Sequence, residues 1–378
     1  MNKKYFYALA TYTGTIVGAG IFGLPYVASR AGLTVMIIYL LIIAFMSLSA
    51  ALLFGQVISA THGHHRLPGY VAKYMGNKWR HIAFFTTVIG LTGVLLTYII
   101  LGGEFLHGIF NPLIGGSILV YTLAYFALGA YLIFRQAKVV ARIEIIMLVF
   151  IVLMVIIFLI FGWPEVNLNN IKLSGNNIFL PFGVLIFSLW GLSVMPEVVD
   201  MMEGEQKKVK SIVPTGILIA VLIYFVFIIL VWGISGGNIS TEAIPGLSVA
   251  LGRKILLFGY IFGFLATFTS FISIGMVVKK IYWYDYRVPR NYAWFFALFI
   301  PLALYLLGMK DFIEVIGITG AFALGLEGII ILLLCLKTRK KCPKKAAYQY
   351  KLPTFVKVLF ILLFATGVAF QIINLIKK

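Results

Sequence analysis

The chain has 378 residues, 62% of them hydrophobic and only 11% charged, with a formal net charge of +19. Soluble domains carry about 25% charged residues, so this composition excludes a soluble enzyme and describes an integral membrane protein with no soluble domain of any size. The positive charge does not mark a nucleic-acid binder, because the basic residues cluster in short segments between apolar runs, as the positive-inside rule requires.

Eleven apolar spans follow one another, at about 5–28, 33–60, 83–109, 112–134, 139–162, 179–201, 212–235, 253–277, 292–308, 313–336 and 353–376. Each is long enough to cross a bilayer as a helix. Span 1 follows Lys3-Lys4, as a signal peptide would. It is too long for one and carries Pro25 with no small-residue cleavage site, so it reads as a helix. With the N-terminus inside, the outer segments hold Arg30, Lys172, Arg253, Lys254, Lys310, Lys377 and Lys378, seven of the 31 Lys and Arg, which leaves 24 on the cytoplasmic side. A missed or extra span would scramble that asymmetry. The expected protein is multi-pass in the cell membrane, with a cytoplasmic N-terminus and a C-terminus outside. Cys335 and Cys342 flank the inner end of span 10 and read as reduced thiols.

Span 1 contains Gly14-Thr15-Ile16-Val17-Gly18-Ala19-Gly20-Ile21-Phe22-Gly23-Leu24-Pro25. Gly costs about 1 kcal/mol against Ala inside a helix and Pro about 3. In hydrocarbon an interrupted helix also strands backbone N–H and C=O groups, which is tolerated only where the break is buried in protein or lines a wet cavity. Gly18 lies roughly 20 Å along the span, near mid-membrane. Span 6 repeats the device in Phe187-Ser188-Leu189-Trp190-Gly191-Leu192-Ser193-Val194-Met195-Pro196-Glu197. Five spans separate the two starts, so the two run in opposite directions. Spans 1–5 (5–162) and 6–10 (179–336) each cover about 158 residues, the sign of an inverted-repeat secondary transporter. Packing of small residues is the plainer use of Gly14 and Gly18, but the matching break in span 6 argues against it.

An unwound span offers two half-helix ends. The N-terminus near Gly20 presents N–H groups and a positive dipole end, suited to a carboxylate. Free carbonyls near Thr15, Ile16, Phe187 and Ser188 suit an ammonium or a cation. Gly18 and Gly20 admit a ligand close to the main chain. A carboxylate and an ammonium a few ångströms apart describe an α-amino acid.

Gly-Ala-Gly-Ile-Phe-Gly-Leu-Pro at 18–25 resembles the first-helix signature of the amino acid–polyamine–organocation superfamily, and Phe187-Ser188-Leu189-Trp190-Gly191 resembles its helix 6 break. Leu67-Pro68-Gly69-Tyr70 through Tyr74-Met75-Gly76, in the first cytoplasmic loop, and Thr97-Tyr98-Ile99-Ile100-Leu101-Gly102-Gly103 in span 3 resemble the amino acid/auxin permease branch. Thr269-Ser270-Phe271 is similar to a segment of the hydroxy and aromatic amino acid permeases. The resemblance implies an all-α, leucine-transporter-like fold: eleven transmembrane helices, a 5+5 inverted repeat with discontinuous helices 1 and 6, and one accessory helix. The core would be 1–352 and the accessory helix 353–378. It further implies that Gly18, Ala19 and Gly20 hold the carboxylate, that the Ile16 and Phe187 carbonyls hold the amine, and that Trp190 and Tyr98 wall the side-chain pocket. Thr269 and Ser270 align with hydroxyls that ligate sodium in sodium-coupled relatives. Their plainer role is to bond their own helix backbone.

Glu327, in Gly325-Leu326-Glu327-Gly328, is an acid deep in span 10 and a coupling candidate by position. The alternatives are a neutral Glu tying span 10 to a neighbour's backbone, or one near enough to inner water to stay solvated. Glu197 and Asp200 share a face and could gate the inner side with Lys3, Lys4 or Arg142, although a solvated loop start is the simpler reading. Arg142 and Glu144 read as interface charges, and His62, His64 and His65 as part of a solvated loop rather than a metal site. Tyr282, Trp283, Tyr284 and Tyr286 fall where interfacial aromatics belong. No Walker motif, zincin motif or paired intramembrane aspartate occurs, so no enzyme, no cofactor and no metal beyond sodium is expected. The function implied is uptake of neutral amino acids, aromatic ones included, by proton or sodium symport. The alternatives are an uncoupled exchanger of the same fold, a non-transporting receptor and a channel.

Overall fold

Each apolar stretch folds as a helix or as a broken pair of helices. The computed structural model describes residues 3–63, 65–135, 140–341 and 346–376, without side chains at 140–148, 151–152, 248–251, 253–255, 339–341 and 374–376. His64, Cys342 and the side chains of Arg142 and Glu144 lie outside this description. The first stretch splits into α1 (Lys3–Ile16) and α2 (Gly20–Ala31), bent by 47° at the junction. Then come α3 (Leu33–Ser59), α4 (Leu67–Met75), α5 (Asn77–Ile114), α6 (Ile118–Phe134) and α7 (Val140–Gly162). The sixth stretch splits into α8 (Leu180–Ser188) and α9 (Met195–Met201), joined through a 3₁₀ turn at Leu192–Val194. It is followed by α10 (Val209–Ser235), α11 (Ser248–Lys280) and α12 (Arg290–Leu306). The tenth holds α13 (Phe312–Ile318), a π-helical turn at Thr319–Leu324 and α14 (Gly325–Lys341); α15 (Thr354–Ile376) is last.

Among the described residues, seven helical spans are long and apolar enough to cross a bilayer, eight if α1 and α2 count as one. Three more apolar helices are shorter, at Ile118–Phe134, Leu153–Glu165 and Arg290–Leu306.

Two elements depart from expectation. The first loop holds a helix, α4, whose Leu67, Tyr70, Val71 and Tyr74 are buried and pack against α5. Pro68 sits in its first turn, where the missing N–H costs nothing. Gly76, at φ 96°, supplies the left-handed backbone that ends α4 and lets α5 begin. α5 in turn starts six residues before the apolar run, because Asn77 to Ile82 continue the helix beyond the hydrophobic stretch.

In lipid, helices gain little from burying apolar area against each other, so small residues that allow close approach carry the packing. A Cβ on Gly263 of α11 would stand 2.6 Å from the Phe105 ring of α5, and one on Gly216 of α10 would stand 2.7 Å from Tyr12 of α1. α5 meets α6 where Gly102 and Gly103 lie under Tyr125 and Thr122. The closest backbone approach among the described glycines joins α8 to the π turn: a Cβ on Gly320 would fall on the Gly183 carbonyl oxygen and stand 2.9 Å from the Phe187 nitrogen. Backbone cannot yield there as a flexible side chain can.

Gly320→Ala is therefore expected to destabilise the detergent-solubilised protein by about 1–3 kcal/mol, the usual cost of overpacking. Gly317→Ala, three residues earlier, meets nothing within 4 Å and should stay within about 0.5 kcal/mol of the parent. Thermal unfolding of both variants checks this; the reverse order would contradict it.

Candidate functional site

The α1 ladder runs out over three residues. Val17 N–H still donates to the Thr13 carbonyl at 2.8 Å, but Gly18 N–H turns back onto the Ile16 carbonyl at 2.8 Å. α2 then starts at Gly20 with Ala19 as its N-cap, and no side chain caps its first turn. α8 fails in the same manner. Leu189 N–H reaches Leu185 at 2.9 Å, Trp190 N is a stretched 3.4 Å from the Phe187 carbonyl, and Gly191 N–H folds onto Leu189 at 3.1 Å. Pro196 lies in the first turn of α9, where it breaks no hydrogen bond.

The two breaks meet. α2 packs along α8 and α1 along α9. The contact at Gly20 is so close that a Cβ there would stand 2.7 Å from the Ser188 Cα. Between the breaks lies a cavity of about 20 Å³, the space of a single water. Eight of the expected substrate residues line it: Thr15, Ile16, Gly18, Ala19, Gly20, Tyr98, Phe187 and Trp190. Leu91, Val94, Ser193, Ile274 and Leu324 complete the wall, so most of the side-chain surface is apolar. The cavity is narrow. Ser188 and Gly191 are not in the lining. Ser188 is pressed against Gly20, and Gly191 faces Tyr12 and Ile16 of α1, which a Cβ would meet at 2.7 and 2.9 Å. A larger cavity of about 560 Å³ opens beyond α8, near Tyr26, Phe182, Asp311 and Phe370.

Side chains from other spans serve the freed carbonyls. Tyr224 of α10 is wholly buried, and its hydroxyl stands 2.7 Å from both the Ile16 and the Ser188 carbonyl oxygens. One proton thus serves one acceptor from each break. Ser47 of α3 donates to the Leu189 carbonyl at 2.5 Å. The Ile16 carbonyl, expected to be open to an amine, is shared by Tyr224 and Gly18. Neither Tyr224 nor Ser47 stood out in the sequence. Tyr224 is one aromatic in Ile223-Tyr224-Phe225-Val226-Phe227, and the only signal was a hydroxyl at mid-span.

Glu327 is 2% exposed and both its carboxylate oxygens accept hydrogen bonds. Thr87 of α5 donates at 3.0 Å and the Trp190 indole N–H at 2.6 Å. It ties span 10 to neighbouring spans through side chains. Ser270 lies at the site's edge: a Cβ on Gly18 would stand 2.9 Å from the Tyr98 hydroxyl and 3.3 Å from the Ser270 hydroxyl. Thr269 donates back to the Leu265 carbonyl of its own helix at 3.0 Å.

Glu197 pairs with two bases the sequence did not suggest. Arg66, just before α4, forks onto both its oxygens, with Nη1 at 2.6 Å from Oε2. Lys280, at the end of α11, stands 3.4 Å away. The cluster joins α4, α9 and α11 at one end of the molecule. His65 packs edge-on against Tyr70 of α4.

The model of the tryptophan/tyrosine permease family matches residues 1–374. The chain is 23% identical to Glutamine transporter 2 of Aliivibrio fischeri over 356 residues, 90% of this chain and 91% of that protein. It also superposes on MhsT, solved in complex with L-phenylalanine, with a TM-score of 0.68 at 15% identity, covering 100% of this chain and 98% of that one. That likeness is one of fold. The chain is a multi-pass membrane protein and belongs to the tryptophan/tyrosine permease family, an amino acid transporter family rather than one of enzymes.

Proposed function

We propose that the protein imports neutral amino acids, aromatic ones included, by proton- or sodium-coupled symport with alternating access. The observation that carries this reading is the meeting of two broken helices around a cavity that their own backbone lines. The N-terminal end of α2 faces a carboxylate, and the Ile16 and Phe187 carbonyls face an ammonium once the walls part. Gly18, Ala19 and Gly20 form the carboxylate side, with Thr15, Ser188 and Gly191 shaping the turns behind it. Trp190, Tyr98 and the aliphatic wall receive the side chain. A relative named for glutamine and a structural neighbour bound to L-phenylalanine support a neutral substrate.

The reading extends to topology. Of eleven transmembrane spans, ten form two inverted repeats, 5–162 and 179–336, within a core of 1–352, and the eleventh, in 353–378, is an accessory helix. The N-terminus is cytoplasmic and the C-terminus outside. On that orientation the Arg66–Glu197–Lys280 cluster lies on the cytoplasmic side and closes the inner ends of α9 and α11 together. Glu327, Ser270 and Thr269 are the coupling candidates. Thr269 retains oxygen lone pairs for sodium although its proton serves its own helix.

Uptake of a labelled amino acid panel into proteoliposomes, with sodium and pH gradients imposed separately, tests the function. Accumulation above equilibrium under one gradient is expected. Counterflow without accumulation would mean an uncoupled exchanger, and single-channel currents would mean a pore. Gly20→Ala should reduce uptake at least tenfold, because its Cβ has no space against the Ser188 backbone and a shift of about 1 Å at a binding centre can cost two orders of magnitude. Normal uptake by Gly20→Ala would contradict the placement of the site.

A further inference from the structure

Trp190 is fixed from behind. Its indole forms one wall of the central cavity, while its N–H donates to Glu327. A Cβ on Gly328, next in sequence, would stand 3.1 Å from the Trp190 ring and 2.6 Å from Phe364 of α15. Phe364 meets Trp190 edge-on, with ring centroids 6.2 Å apart. The ring is thus held by one strong hydrogen bond and by two close contacts that glycine alone permits. The aliphatic residues of the wall have no such anchor. Leu91, Val94, Ile274 and Leu324 carry no polar atom in their side chains, and packing alone places them.

We propose that Glu327 is a positioning residue for substrate selectivity: it sets which amino acid side chains the central site accepts by holding the Trp190 indole in place. The proposal rests on the reading that this cavity binds the amino acid. The carboxylate suits the task because it has two acceptor oxygens and meets two donors, Trp190 from the sixth span and Thr87 from the third. A buried carboxylate with both oxygens engaged has little freedom to turn, so the indole is fixed as firmly as the helices that bear Glu327 and Thr87. An amide at 327 would still accept from Trp190 and donate its NH₂ to the Thr87 hydroxyl, so it leaves the indole held. Leucine, of similar volume and with no acceptor, would release both donors. Substrate size discrimination would then relax, because a ring that can swing admits bulk that a fixed ring rejects. α15, outside the two repeats, takes part through Phe364.

The test is a double-mutant cycle on uptake by the full chain in proteoliposomes, using labelled phenylalanine, tryptophan, leucine, glutamine and alanine. Wild type, Glu327→Leu, Trp190→Phe and the double variant are compared by KM and maximal rate for each substrate. Trp190→Phe removes the N–H and keeps a ring. Both single variants should reorder the panel in the same sense, with KM ratios between large and small substrates shifting by about fivefold or more, within the range that pocket size commands. The double variant should shift no further than Trp190→Phe alone, since contacting residues fail to add. If Glu327→Leu lowers the maximal rate equally for every substrate with KM ratios intact, or adds fully to Trp190→Phe, the proposal is overturned while the site stands. If Trp190→Phe itself leaves every KM ratio unchanged, the central-site reading falls and takes the proposal with it. Should Glu327→Leu fail to reach the membrane, Thr87→Val removes the second donor and frees the carboxylate to turn from Trp190. The same reordering, smaller in size, is expected, and an unaltered panel would overturn the proposal.

Discussion

A membrane-spanning backbone must satisfy its own hydrogen bonds, because hydrocarbon offers none. This chain breaks that rule twice and repairs each breach with side chains from elsewhere. The Tyr224 hydroxyl bridges the Ile16 and Ser188 carbonyls, and Ser47 serves Leu189. The rest of the architecture follows from keeping these two breaches together. Gly20 lies against Ser188, and Gly320 lets the π turn approach α8 at backbone distance. The second span supplies one donor and the seventh another. A break repaired in this way is stable yet exchangeable, since a ligand with its own donors can replace a hydroxyl that serves two acceptors with one proton.

The narrow cavity sharpens that picture. At about 20 Å³ it is closed in by Leu91, Val94, Tyr98 and Ile274, and side-chain contacts brace the half-helices around it. Trp190 is tied to span 10, and Glu197 is tied to Arg66 and Lys280. Among the described residues, the buried Trp190–Glu327–Thr87 contact has no ion-pair partner and relies on directed hydrogen bonds, which fix geometry more sharply than a screened surface ion pair would.

Much of this was legible from residue order alone. Glycine and proline in two apolar runs marked both breaks, because their backbone cost is local. Apolar length marked the helices for the same reason. The helical α4 was also within reach, since Pro68 and Gly76 bracket an amphipathic stretch, yet the stretch is short and polar enough to pass for a loop. Other features depend on chain closure and had no local signature. Tyr224 meets Ile16 across 208 positions and Glu327 meets Trp190 across 137, and no spacing rule predicts either pair. Glu197 illustrates the limit differently: its acidity called for a base, but the sequence offered several, and only the fold selects Arg66 and Lys280.

The central claim is that both halves of a zwitterion are read by backbone at the two breaks. Competition against uptake of the best-transported amino acid tests it most directly, using two analogues with the same side chain: the amine that lacks the carboxylate and the acid that lacks the amine. Sites built to hydrogen-bond a group reject analogues without it by several orders of magnitude. The account predicts that neither analogue competes at about a hundredfold excess, and inhibition by either one at concentrations near the amino acid's own KM would contradict it.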